Sequence, residues 1–307
     1  MPSRRDVLKG GAAVGAASVT GLSGCLGGVL GGGSSNFQNW LIDPYLLPGQ
    51  PERYPVVSLS PSSLEEHSGE FDGDEWDQIR TFAVQRYQFT RLYADEVDRL
   101  TLGGGGYQGG GFEVTQGGFD GESVGEDLTR AEFRELQEYQ SYSVYERDQD
   151  RQLGIGIDGG TMAAASSFGD ADAIRVLEDL IDVQRGEVRS YSEVNDTFGG
   201  LMDASTPGDV FTARITGDPA DETDAESGQF RNQVGQSTSA SVNGEDSDLE
   251  LVLTFLSDRD PRERDLEEWT LNDRFDLWRD IEISVDGASA TVSGSVPTRD
   301  VFSAINF

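Results

Sequence analysis

The residue types that carry most enzyme chemistry are scarce in this chain of 307 residues. It contains one histidine, one cysteine and one lysine, which are His67, Cys25 and Lys9. Without a lysine beyond Lys9, the sequence has no Walker lysine, Schiff-base amine or Ser-x-x-Lys dyad. A single cysteine excludes an internal disulfide, a cysteine zinc site and an iron–sulfur cluster. These counts predict neither a metal centre nor a cofactor.

His67 is the one imidazole that could serve as the general base of a Ser-His-acid triad. It stands in the stretch SLEEHSGEFDGDEWD, beside Glu65, Glu66 and Glu70. Acidic neighbours of this kind are typical of an exposed turn, so we interpret His67 as a surface residue. The sequence therefore predicts no catalytic residue.

Two further patterns could bind ligands but have simpler explanations. The Gly-rich run Leu102–Glu113 is followed by a strand pattern, whereas a phosphate-binding loop leads directly into a helix. We interpret this run as a hairpin loop. The acidic clusters FDGDEWD (residues 71–77) and NGEDSDLE (residues 243–250) supply oxygen ligands, but neither matches the twelve-residue calcium loop. They are interpreted as solvated acidic surface.

Three tyrosines recur at every third residue: Tyr139, Tyr142 and Tyr145. Amphipathic aromatic rings can stack on sugars, but packing beneath the preceding helix is the simpler interpretation. Paired carboxylates for glycoside hydrolysis stay open as an alternative. Their separation in space decides that chemistry, and the sequence holds many pairs.

The net charge of the chain indicates which partners it can bind and at which salt concentration it is stable. It has 56 acidic residues against 23 basic ones, for a net charge of −33. Such a charge opposes compaction in dilute buffer, but in about 1 M salt the Debye length falls to roughly 3 Å and the repulsion is screened. An acid-rich, almost lysine-free composition is typical of halophilic proteins with an acidic surface. The same charge argues against nucleic acid as a partner.

The N-terminal segment has the parts of a secretory signal. Arg4, Arg5 and Lys9 provide a positive start, and Gly10–Leu22 is a weakly apolar stretch too short to span a bilayer. The string Ser3–Lys9 resembles the twin-arginine (Tat) export motif. The resemblance implies a signal peptide over residues 1–24, read by the Tat translocase through Arg4 and Arg5, and export of an already folded protein.

Leu22–Cys25 resembles a lipobox, in which the cysteine is acylated and becomes the new N-terminus. The resemblance implies lipidation of Cys25 and attachment to the membrane through that lipid. The alternative is an ordinary cleaved signal with an incidental cysteine. Residues 25–36 are rich in Gly and Ser and are interpreted as a tether that holds the folded body away from the headgroups.

Beyond the tether, the hydrophobic periodicity predicts an α+β fold, with helices on one face of antiparallel sheets. Over about residues 110–215 the predicted order β-α-β-β-α-β is that of a ferredoxin-like unit. Its predicted elements are a strand at Phe112–Gly117, a helix at 121–140 with a capping box at Thr129 and Glu132, a strand at Tyr142–Glu146, a hairpin at Leu153–Ser166, a helix capped by Asp170 and a strand at Asp209–Ile215.

We predict an α+β domain over residues 37–205 and a second α+β subdomain over residues 206–307. The second contains an acidic loop at 216–248, a buried strand at Leu249–Leu256 and a closing hairpin that turns on Asp286–Gly287. Its element order is similar to half of the middle unit, so a partial duplication is an open alternative.

The whole pattern resembles the haloarchaeal twin-arginine signal lipoproteins, and the specific part of that resemblance covers residues 3–25. It implies a lipid-anchored protein on the extracellular face of the cytoplasmic membrane, and it implies no activity. Because no catalytic constellation is present, we expect a non-enzymatic binding or scaffolding role in the cell envelope. A carboxylate-dependent extracellular hydrolase and a solute-binding receptor for a transporter are the alternatives.

Overall fold

The computed structural model describes residues 37–47, 54–84, 89–104, 111–148, 152–167, 172–260 and 262–305. Three predictions fall outside these residues: the signal and tether of residues 1–36, the middle of the Gly-rich run at 105–110, and the helix cap at Asp170.

Twelve strands of the described chain form one sheet. Its strand order is β11-β12-β10-β9-β8-β1-β2-β3-β7-β6-β5-β4, and every neighbouring pair is antiparallel. The strands are β1 Val56–Leu59, β2 Val97–Gly104, β3 Gly111–Gly117, β4 Arg134–Tyr139, β5 Tyr142–Asp148, β6 Gln152–Asp158, β7 Thr161–Ser167, β8 Val210–Ile215, β9 Gln233–Val242, β10 Asp246–Phe255, β11 Arg279–Asp286 and β12 Ser289–Pro297.

Eight α-helices lie within the described residues, and short 3₁₀ turns connect some of them to the sheet. The helices are α1 Pro61–Glu66, α2 Gly73–Val84, α3 Gly121–Arg130, α4 Ala173–Arg185, α5 Tyr191–Val194, α6 Asp196–Ala204, α7 Glu263–Trp269 and α8 Val301–Ile305. The longest, α4, begins after Asp172, whose carboxylate accepts from the backbone N–H groups of Ile174 and Arg175, and it ends at Gly186 with φ 75°.

Helices cover both faces of the sheet. Successive side chains of a strand point to opposite faces, and β7 shows this directly: Met162 and Ala164 join one hydrophobic cluster, while Ala163 and Ala165 join another. The first cluster contains apolar residues of α1, α2, α3, α7 and α8. The second contains those of α4, α5 and α6 together with Trp40. We call these the first face and the second face.

Small residues in β6 and β7 let α4 lie close against the second face. A Cβ at Gly154 would be 2.9 Å from Cδ1 of Ile174, so a larger residue there would push the helix away. The apolar stripe of α4 then packs on the glycines and alanines of the sheet, and its members Leu177, Leu180 and Ile181 are fully buried.

The predicted ferredoxin-like unit is wrong. Residues 134–139, assigned to the second half of a helix, form the edge strand β4 instead. The strand at Val210–Ile215 does not return beside the middle strands, because β8 pairs with β1 and β9. The prediction of helices on one face of separate, partly duplicated sheets is also wrong, since one sheet carries helices on both faces.

Helix α3 ends ten residues before the predicted end. Thr129 does not cap a helix; its hydroxyl donates back to the carbonyl of Gly125, one turn earlier. The chain reverses at Glu132, which has φ 67°, and then enters β4. The actual N-cap of α3 is Asp120, whose carboxylate accepts from the N–H of Glu122 at 3.2 Å.

Strands from both sides of residues 205–206, where the predicted subdomain begins, belong to the same sheet. The short strand β1 lies near the middle of the strand order, with β2 on one side and β8 on the other. Two local predictions are confirmed: the hairpin at Leu153–Ser166 is β6 and β7, which turn at Asp158–Gly160, and the closing hairpin is β11 and β12.

Candidate functional site

A cavity of about 690 Å³ lies between helix α3 and the first face of the sheet at the edge formed by β4, β5 and β6. This volume is in the range of small-ligand sites, roughly 300–1,000 Å³. The cavity is lined by Asp120, Gly121, Glu122, Gly125, Glu126, Thr129, Arg130, Glu135, Ser141, Ser143, Tyr145, Ile157, Asp158 and Gly159. Several of these residues are exposed, so the cavity lies at the surface.

Two glycines one helical turn apart bring α3 close to the sheet. A Cβ at Gly121 would lie 2.4 Å from the carbonyl oxygen of Gly159, in the turn between β6 and β7. A Cβ at Gly125 would lie 2.6 Å from the hydroxyl oxygen of Tyr145. Both distances are shorter than any normal contact. A larger residue at Gly121 would collide with backbone, whereas one at Gly125 would require the Tyr145 side chain to move.

Tyr145 forms part of the cavity wall with its hydroxyl beside Gly125. Its side chain on β5 is only 7% exposed. Burial, with a smaller contribution from the negative charge of Glu135, raises the pKa of Tyr145, so the phenol keeps its proton. Within the described part of the chain, no hydrogen-bond partner is found for its hydroxyl group.

The hairpin turn between β4 and β5 forms one rim of the cavity. Gln140 and Ser141 both adopt left-handed conformations, with φ 48° and 75°, which usually favour glycine or asparagine. Side-chain bonds hold this turn: the Ser141 hydroxyl donates to Asp158 at 2.8 Å, and Gln140 Nε2 donates to Asp182 at 2.6 Å. Arg185 donates to both Ser141 and Asp158, at 2.7 and 3.0 Å.

The cavity wall is strongly acidic. Asp120 caps α3, and Asp158 is paired with Arg185, so these two carboxylates already have partners in the fold. Glu122, Glu126 and Glu135 are exposed along the wall. Of these three, Glu126 has a long ion pair, 3.4 Å, with Arg130.

The three tyrosines singled out from the sequence do not form one aromatic surface. Tyr142 is buried on the second face, where its ring meets Trp40 edge-on at 6.5 Å. The Tyr139 hydroxyl donates to Asp182 of α4 at 2.9 Å. Tyr145 alone packs against the helix that precedes it, α3.

The other residues considered from the sequence lie away from this cavity. His67 is half-buried in the turn after α1. Asp72 accepts from the N–H of Asp74, Asp77 pairs with Arg80, and Asp248 accepts from Asn243. In the described ranges, no three His, Cys, Asp or Glu side chains converge to hold a metal ion. Arg4, Arg5 and Cys25 lie outside those ranges.

Sequence reasoning missed the glycines and glutamates of the cavity. The available signal was Gly121 and Gly125 at i, i+4 spacing inside a pattern that is otherwise helical. Glycine disfavours a helix by about 1 kcal/mol relative to alanine, so two on one side indicate a close approach. Glu122 and Glu126 follow the same spacing, but nothing in the sequence distinguishes them from the other acidic residues, of which the chain has 56 in all.

None of the described helices has both the length and the apolar character needed to cross a bilayer.

Comparison with known structures finds a similar chain path in TP0453. Its crystal forms III and I are 9% identical to this chain, with TM-scores of 0.48 and 0.46; the match covers 86% of this chain and 97% and 96% of theirs. No curated protein matches the sequence.

Residues 1–21 match the family model of the TAT (twin-arginine translocation) pathway signal sequence. The match confirms the export signal that the sequence predicts. The chain therefore carries a twin-arginine signal that directs it to the Tat translocase and across the cytoplasmic membrane.

Proposed function

We propose that the protein is a lipid-anchored binding protein on the extracellular face of the cytoplasmic membrane, and that the cavity beside α3 holds its ligand without catalysis. The export signal supports the location, and the lipobox-like Leu22–Cys25 supports anchoring through Cys25. The binding role rests on one observation: the nine-tenths buried Tyr145 faces the cavity, and its hydroxyl has no partner in the described chain.

The Tyr145 side chain lines the cavity, so a ligand there could bond to its hydroxyl group without displacing a partner in the described chain. The strained turn at Gln140–Ser141 also supports a binding role. Left-handed non-glycine residues persist only where their surroundings fix them, and such positions are concentrated at ligand sites. Here the bonds to Asp158, Asp182 and Arg185 hold the rim in place before a ligand arrives.

Anchoring is tested by fractionation and intact mass of three proteins expressed in a host with a Tat system. We expect the wild type in the membrane fraction with an acylated N-terminus, and Cys25→Ser free of lipid and released from the membrane. The Arg4→Lys, Arg5→Lys double variant should keep its signal and stay inside the cell. Equal solubility and equal processing of wild type and Cys25→Ser would refute the anchor.

Access to the cavity is tested with thiol labelling in the Cys25→Ser background, which has no other cysteine. Ser143 lines the cavity and is half-buried, so Ser143→Cys should react with a small methanethiosulfonate reagent. The exposed Ser123→Cys on the outside of α3 is the positive control, and the fully buried Ser166→Cys is the negative control. If Ser143→Cys reacts as slowly as Ser166→Cys, the cavity is closed and the binding role is wrong.

A further inference from the structure

The charges of the cavity beside α3 are not balanced by the fold. The capping role of Asp120 and the pairing of Asp158 with Arg185 account for two of its five carboxylates. In the described lining, Glu122 on α3 and Glu135 on β4 have no ion pair, and Glu126 has only the long one, 3.4 Å, with Arg130. Among the described residues that line the cavity, Arg130 is the one cation, and it pairs with Asp127 and Glu126 of its own helix. The cavity therefore favours a positively charged ligand.

The placement of the glutamates favours an elongated cation over a single metal ion. Glu122 and Glu126 belong to the helix wall, whereas Glu135 belongs to the sheet wall. A calcium ion needs several oxygens within about 2.3–2.6 Å of one point. A volume of about 690 Å³ is far larger than one ion, whereas a chain with a charge at each end could reach both walls.

The floor of the cavity suits the middle of such a chain. The small exposed parts of Ile157 and of the Tyr145 ring provide apolar contact for a narrow methylene chain, and the phenol oxygen can accept a bond from an ammonium group. A sugar is less well matched. Sugar rings stack on open aromatic faces, and Tyr145 leaves only 7% of its surface exposed.

We propose that the cavity binds an aliphatic polyamine, with ammonium groups held by Glu122, Glu126 and Glu135 and methylene groups packed on Tyr145 and Ile157. This inference rests on the proposed binding function and names the ligand class of the same site. Both helix glutamates are exposed, so Glu→Gln substitutions there should leave the fold intact.

The test is calorimetric titration of the full chain with spermidine in about 1 M KCl, where a Debye length of roughly 3 Å suppresses diffuse attraction to the acidic surface. We expect one site per chain. The Glu122→Gln, Glu126→Gln variant should weaken binding about tenfold or more, because it removes two charge-assisted contacts. The matched control is Glu263→Gln, Glu267→Gln, which removes an exposed i, i+4 pair from α7 and should leave binding unchanged.

A second pair of variants, which changes no charge, tests whether spermidine binding depends on the space inside the cavity. Gly125→Ala places a methyl group against the Tyr145 hydroxyl and should also weaken spermidine binding, whereas Gly200→Ala in α6 meets nothing within 4 Å and should not. Equal weakening by both glutamine pairs, or binding insensitive to Gly125→Ala, would overturn the polyamine proposal. So would binding of cellobiose or Ca²⁺ that depends on Gly125 when spermidine does not bind.

The binding function of the cavity and the class of its ligand are tested by different measurements. If Ser143→Cys is labelled but spermidine does not bind, the ligand class is wrong and the cavity function stands. If Ser143→Cys is not labelled, both are wrong.

Discussion

At the scale of single residues, Asp127 is the best-bonded carboxylate near the cavity. It lies on the buried side of α3, 5% exposed, and accepts from Nε, Nη2 and the backbone N–H of Arg91 at 3.2, 2.8 and 3.2 Å. Arg130 on the same helix also donates to it. Asp127 thus ties α3 to the segment that leads into β2.

We predict that Asp127→Asn lowers the free energy of unfolding by about 1–3 kcal/mol, because it weakens several bonds to a buried acceptor. The bonds from Arg91, more than those from Arg130, hold the pKa of Asp127 below its ordinary value of 3.8. The stabilisation is therefore complete above about pH 4 and is lost as the pH falls through the lowered pKa.

Urea unfolding of wild type and variant at several pH values measures this difference. The control is Asp77→Asn, which breaks an exposed pair with Arg80 on α2 and should change stability by no more than about 0.5 kcal/mol. An Asp127→Asn loss no larger than that of the control, or one that grows below pH 4, would contradict the role given to Asp127.

At the scale of elements, the β4–β5 turn stores strain that its side chains offset. Ser141 has φ 75° and bonds to Asp158, whereas Ser143, two residues later, lies in regular β5. We predict that Ser141→Ala destabilises the protein more than Ser141→Gly, by about 1–2 kcal/mol, because only glycine adopts the left-handed region without cost. At Ser143 the order should reverse, since glycine weakens a strand.

Chemical denaturation of the four variants measures these differences. Both orders are needed: if alanine is the better substitute at Ser141 as well as at Ser143, the turn is not strained.

The length of α3 was mispredicted for a physical reason. Residues 134–139 form an edge strand that is exposed along nearly its whole length, so no apolar alternation distinguishes it from a charged helix. In contrast, β6 and β7 are buried on both faces and bounded by Asp158–Gly160, and α4 has a clear apolar stripe. Elements that bury a regular pattern were predictable, whereas β4 depends on the hairpin that holds it.

At the scale of the whole molecule, the net charge of −33 makes the stability of the fold depend on the salt concentration. We predict that the melting temperature rises by several degrees when KCl is raised from about 0.1 to 1 M, because the Debye length falls from about 10 Å to 3 Å and self-repulsion is screened. Sucrose at matched osmolality, which screens no charge, is the control and should raise the melting temperature less. An equal rise in both solutes would show that screening is not the cause.

The topology could not be derived from local patterns. The pairing of β1 with β8 joins Val56–Leu59 to residues more than 150 positions later, and no periodicity within either strand records that contact. The export signal was predictable because a receptor reads it as a short linear motif, and the comparison confirms it. The cavity was not predictable, since α3, β4, β5 and β6 must first come together.

The position of β1 affects the timing of synthesis and export. This short strand is made early, yet one of its two neighbours, β8, leaves the ribosome only after residue 215 has been added. In a nascent chain arrested before that point, the backbone N–H and C=O groups along one edge of β1 would have no partner strand. A translocase that accepts only folded proteins would therefore accept this chain only after β1 has paired with β8.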